Sequence, residues 1–477
     1  MTNGYEILVV LLIIAFTLYV GIMASKGVTD IRSFAISRDY FGSFAITCTI
    51  VASFIGGASI IGTAEKSFHQ GLAPVSAWLG FCLQLILTAT VIVPRLDKFI
   101  DTISVGDIIQ TAYGRKAKIL TGVIWVLFCT GIIVAQTKAL GSIIGIFSSL
   151  GADINSIIGL CIVISYCYLG GIRSVVATDI LQFIVMFIAL PIMLIFAMNH
   201  IGGFSGILER VPKDYFEISG SISAGEVAFL FLGFAFGDAL IPPMIQRLIM
   251  ASHSKKAKRS IFIASVLIIP LYAIGGLLGM IAFALNPELH HSDIMPYLFR
   301  TVLTPGITGL AVAGLMAAIM SSADSYLNSA SIALVHDVIK PLSRGAISKE
   351  YELKLARATT VLIGFAAIFL TLLFDNILDV ITNTFKLWGP TIMAPLAFVI
   401  FNKRIPIWGF YTSAIVGFST VILFETMLKI NPDLLRLANN LHLDGLIPGI
   451  AANIASCIFI YKLCHIKDGD VTVIESI

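Results

Sequence analysis

Thirteen predominantly apolar runs, most of them long enough to cross a lipid bilayer, follow one another along the chain at about 5–25, 42–65, 73–94, 117–147, 152–169, 175–200, 225–250, 259–285, 305–336, 356–375, 377–401, 404–428 and 444–464. One crossing needs ~20 apolar residues. In lipid the backbone must satisfy its own hydrogen bonds, so runs of this kind have to be helices. We number them spans one to thirteen. They use nearly all of the 477 residues, which excludes a separate soluble catalytic domain. Only 12% of the residues are charged, against about 25% in soluble proteins. That low charge makes the lipid bilayer the expected surroundings, and the near balance of 31 basic and 28 acidic side chains argues against nucleic acid as a partner. The expected fold is therefore an all-α membrane bundle, a single integral domain over 1–477.

Span one has no basic segment before it and is longer than the apolar core of a secretory signal, so it is expected to remain as a leading helix. The seven cysteines (Cys48, Cys82, Cys129, Cys161, Cys167, Cys457 and Cys464) show no metal-ligand spacing and read as small core residues. Alternate connections differ sharply in basic residues, about 22 in one set and about 6 in the other. Positive loops stay in the cytoplasm, which places the amino terminus outside and the carboxyl terminus inside.

Spans two to six (42–200) and seven to eleven (225–401) form two candidate halves of opposite orientation, with two trailing helices over 404–464. Span two carries Gly56-Gly57 at its middle; span seven carries Gly237-Asp238 and then Pro242-Pro243. Matched interruptions in the first helix of each half point to a central binding site. Taken singly, diglycines also serve close packing and prolines also kink helices.

Span nine contains Ala317-Ala-Ile-Met-Ser-Ser-Ala-Asp-Ser325, hydroxyls and one carboxylate in an otherwise apolar helix. Residues three and four apart share a helical face, so Ser321 aligns with Ser325 and Ala318 with Ser322. A hard cation such as sodium prefers oxygen ligands of this kind. Serines also satisfy themselves on the carbonyl one turn back, but a carboxylate at mid-membrane costs ~3 kcal/mol or more unless paired or hydrated. An unwound span two frees further carbonyls, those of Ala52 and Ile55 before the glycines. Asp179, early in span six, reads either as a first-turn acid favoured by the helix dipole or as a second cation ligand. Asp238 reads as a cap of a half-helix or as a contact to a solute. No nucleotide-binding GxxxxGK[ST] loop and no nucleophile–base pair is present, so the chain reads as neither a nucleotide-driven pump nor an enzyme.

Two segments, Leu169-Gly-Gly-Ile-Arg-Ser-Val-Val-Ala-Thr-Asp-Ile-Leu-Gln182 and the serine run of span nine, resemble the signature regions of the sodium:solute symporter family. The resemblance extends through Ala52-Ser-Phe-Ile-Gly-Gly57, Gln246-Arg247 and Leu387-Trp-Gly-Pro390. It implies a leucine-transporter-like inverted repeat of five and five helices, one helix before and two after. It also implies a main sodium site from the carbonyls of Ala52, Ile55 and Ala318 with the hydroxyls of Ser321 and Ser322. A second site would use Asp179, Ser321, Asp324 and Ser325, although Asp324 stands where some two-sodium members have a hydroxyl. The resemblance further implies a small solute carried with sodium by alternating access, with no organic cofactor. Ser53, Phe54, Gly57, Trp78, Phe236 and Asp238 are the candidate solute contacts. Part of the sequence looks like the choline branch, yet Phe54 and Ile241 fall where that branch has cage tryptophans. Proline or a similar small zwitterion is therefore the expected cargo, with choline, another organic cation or a vitamin as the alternative. A passive channel or a solute sensor is the reading from another class. Oligomeric state is left open, a monomer being compatible with the reading.

Overall fold

A computed structural model describes residues 4–464 except 149, 238, 252, 291–292, 305, 344–346, 374–376, 432–437 and 439–443. Among the described residues every regular element is a helix. Ten helices are long and apolar enough to cross a bilayer alone. Ser43–Phe54 and Ser59–Gln70, bent by 48° across a short break, make an eleventh crossing. The expected count of thirteen is not reached by that measure, because 225–250 and 377–401 are assembled from shorter pieces. These are Ala224–Phe236 with Pro242–Met250, and Ile377–Trp388 with a π-helical turn at Gly389–Met393 and Ala394–Ile400.

Each break has a local cause. In span two, helix Ser43–Phe54 ends where Ile55 takes φ −95°, ψ 88° and Gly56 takes an extended φ −107°, ψ −174°; the second half-helix, Gly57–Gln70, then begins. Gly56 is required by proximity, since a Cβ there would lie 2.6 Å from Ser322 Oγ. In span seven, Leu240 adopts the left-handed φ of 60°. Pro242 then opens the second half-helix, at the position where a missing N–H costs nothing.

Span nine, Ile307–Ile332 continued by a π-helical turn at Ala333–Ile339, stands at the centre. In its most apolar stretch 89% of residues are buried, against 17% for the leading helix Gly4–Ala24, which marks it as the pillar that the others pack around. Gly314 lets span six approach closely, as a Cβ there would meet Ala189 Cβ at 2.4 Å. A buried helix of this kind can display hydroxyls and a carboxylate only toward partners on its neighbours.

Candidate functional site

The break in span two faces the serines of span nine. Ser321 Oγ lies 2.8 Å from the Ala52 carbonyl and 3.0 Å from the Ala318 carbonyl. Ser322 Oγ donates to the Ser53 carbonyl at 2.9 Å. Ala52, Ile55, Ala318 and Ser321 are fully buried and Ser322 nearly so. Two hydroxyl protons serve three carbonyls here, so acceptor oxygens are in surplus, as a hard cation requires. Ile55 caps the first half-helix, and its ψ of 88° turns its carbonyl out of the helical direction.

Beside this patch lies a buried ionic cluster. Arg247, in the half-helix Pro242–Met250, is wholly buried. Its Nε donates to Thr49 Oγ1 at 3.0 Å, its Nη1 to the Pro243 carbonyl at 3.1 Å, and its Nη2 to Ser325 Oγ at 2.6 Å and to Ser53 Oγ. Nη2 stands 3.6 Å from Asp179 Oδ2, which also accepts from Thr49 Oγ1. Asp324 accepts from Tyr166 Oη at 2.7 Å, from Ser325 Oγ at 3.2 Å and from Thr178 Oγ1 at 3.5 Å. Ser53 Oγ and Ser325 Oγ are 2.8 Å apart. The residues expected to form a second cation site thus gather around one guanidinium, except Ser321, which turns to Ala52.

Next to both clusters is a cavity of about 310 Å³. Ser53, Phe54, Trp78 and Ser322 line it. Trp78 is stacked between Phe234 at 3.9 Å and Tyr272 at 4.3 Å, and its Nε1 donates to Thr63 Oγ1 at 2.8 Å. Phe54 meets Phe81 at 5.1 Å. Of the other expected contacts, Gly57 donates its N–H to Gln136 Oε1 at 3.1 Å. Phe236 is 42% exposed and does not line the cavity; Phe234, two residues earlier, does. Asp238 lies outside the described residues. The break in span seven is held from span eleven, where Trp388 Nε1 donates to the Ala239 carbonyl at 3.2 Å.

Sequence reasoning named Arg247 only as part of a motif and missed Gln136 altogether. A lone arginine within an apolar run, one turn after a diproline, was the available signal, since such a charge must find internal partners.

A sequence model of the sodium:solute symporter family matches residues 34–417. The high-affinity proline transporter PutP of Bacillus subtilis is 26% identical, over 95% of this chain and 97% of its own. A high-affinity choline transporter of Caenorhabditis elegans is 26% identical over 69% of this chain and 60% of its own. Among solved structures, the substrate-bound outward-open state of a Na+-coupled sialic acid symporter superposes with a TM-score of 0.80 at 20% identity, covering 97% of this chain and 98% of that one, a likeness of fold.

Proposed function

The chain belongs to the sodium:solute symporter family, and from that premise we propose that it imports proline or a similar small zwitterion with sodium across a plasma or bacterial inner membrane. It is a multi-pass membrane transporter and not an enzyme. Sodium is gripped by the carbonyls of Ala52, Ile55 and Ala318 and the hydroxyls of Ser321 and Ser322. One residue carries the coupling: Ser322 holds the Ser53 carbonyl with its hydroxyl and lines the solute cavity as well. An ion that closes span two onto span nine therefore also shapes the floor of the cavity.

With the amino terminus outside, as the loop charges imply, the end of the cavity lined by Lys66 and Asp444 faces the exterior. The Arg247 cluster then seals the cytoplasmic side, and alternating access requires Arg247 to leave Ser53 and Ser325. As ionised groups, one guanidinium faces two carboxylates, leaving a negative charge uncompensated. Asp179 Oδ1, buried and without a hydrogen-bond partner among the described residues, offers a second cation a ligand beside Asp324 and Ser325.

The cavity favours a zwitterion over a quaternary ammonium. Such a cation is held best over tryptophan, and both faces of Trp78 are covered, which leaves only the weaker phenyl and phenol rings of the lining, Phe54, Phe81 and Tyr326 among them, for that role. A membrane potential of ~100 mV and a tenfold sodium gradient supply on the order of 3.7 kcal/mol per ion, enough for several hundredfold accumulation of a neutral solute. The test is uptake of radiolabelled proline and choline by proteoliposomes with and without an inward sodium gradient. Sodium-dependent proline accumulation is expected. Sodium-independent flux of either solute would instead identify a passive pathway, and binding without flux a sensor.

A further inference from the structure

We propose that Gln136 recognises the carboxylate of the transported solute and so selects zwitterions over organic cations of similar shape. This rests on the reading of the cargo as a small zwitterion. Gln136 stands within the helix Val105–Ile144, only 5% exposed, and lines the cavity. Its amide offers one acceptor oxygen and two N–H donors. The oxygen is taken by the Gly57 N–H at 3.1 Å. That bond fixes the orientation of the amide, because the reverse flip would set a donor against a donor.

Nε2 is therefore turned the other way, toward the ground between the cavity and the sodium ligands. A methyl at Gly56 would fall 3.0 Å from Nε2 and 2.6 Å from Ser322 Oγ, so both polar groups border the same bare backbone. Among the described residues nothing accepts a hydrogen bond from Nε2. Nε2 is open to the cavity and is not among the buried polar atoms left without a partner, so its N–H groups are available to a solute, and a carboxylate would take them with charge-assisted bonds.

The electrostatics agree. Nε2 sits at the start of the half-helix Gly57–Gln70, whose first N–H, that of Gly57, is taken by Gln136 Oε1, and the positive end of the helix dipole there favours negative charge. Lys66, one of the charged side chains lining the cavity, is ~14 Å further along this half-helix and cannot serve the same spot. A solute anion held by Gln136 would lie beside Ser322, and hence beside the sodium ion, so that each charge favours the other. An organic cation would leave the amide unpaired and meet the positive helix end.

The test compares proline with prolinamide, which keeps the ring and the amine but lacks the carboxylate. Gln136→Glu keeps an oxygen for the Gly57 N–H and turns the donor into a carboxylate. It should raise the KM for proline roughly tenfold to a hundredfold, while inhibition by prolinamide holds or strengthens. Sodium-dependent thermal stabilisation of the purified variant checks that the fold persists. Should Gln136→Glu not accumulate in the membrane, Gln136→Met, similar in length and without donors, should weaken proline more than prolinamide, whose carboxamide oxygen loses only an uncharged bond. A proline KM changed less than about twofold, or equal weakening of both ligands, would overturn the assignment. Failure of the unmodified protein to transport any zwitterion would instead overturn the reading of the cargo, and this inference with it.

Discussion

The cavity is walled by rings that rest on one another, Trp78 between Phe234 and Tyr272 and Phe54 on Phe81, whereas the adjoining cluster is one guanidinium and two carboxylates joined through hydroxyls. Ring contacts are individually worth about 0.5–1.5 kcal/mol beyond burial and tolerate replacement by similar shapes. Breaking a buried ion pair by removing one partner costs about 3–5 kcal/mol, because the other charge is stranded. The cavity is therefore the region where cargo preference can change at little cost to stability. The ionic cluster holds two broken helices and the central pillar in one register, and its alteration acts on the whole cycle.

The sharpest way to break this contrast is Arg247→Ala, which strands Asp179 and Asp324. We expect a stability loss of about 3–5 kcal/mol in thermal unfolding of the purified protein and no transport; adding Asp179→Asn should restore part of the stability. A loss below about 1 kcal/mol would mean that the cluster is not the knot described. Next in size is the response of sodium binding to Asp179→Asn. The Hill coefficient for sodium should fall from near two to near one, and a parent value already near one would remove the second ion. Trp78→Phe tests the other side of the comparison. It keeps a ring between Phe234 and Tyr272 and loses the bond to Thr63, so the proline KM should rise by no more than about fivefold. A far larger rise would show the indole edge touching the solute. Phe236→Ala should change proline uptake by less than about twofold, since that ring points away from the cavity.

The order of the helices and the span-two to span-nine contact were legible because each rests on a local signal. Apolar runs announce crossings, Gly56-Gly57 announces a break, and Ser321-Ser322 stand out in an apolar helix. What lay hidden depends on three-dimensional phase. Phe236 was preferred to Phe234, yet two residues on a helix differ by ~200° about its axis, and the side of the helix that survives next to a break is set by its packing. Arg247 escaped the loop count because it belongs to no loop; its four hydrogen-bond acceptors come from spans two, seven and nine and its ion-pair partner Asp179 from span six. Gln136 looked like any polar residue in a long helix. Its meaning comes from the N–H of Gly57, 79 positions away in sequence. The count of crossings differed because helices interrupted at Leu240 and at Gly389 are shorter than the apolar runs that contain them.

The most direct test of the account is the sodium concentration that half-saturates proline uptake, measured in proteoliposomes for the parent protein and for Ser322→Ala. Loss of one oxygen ligand should raise it about tenfold, the equivalent of ~1.4 kcal/mol, with the amount of folded protein unchanged. An identical sodium dependence in the two proteins would contradict the claim that the ion is held between the break in span two and the serines of span nine.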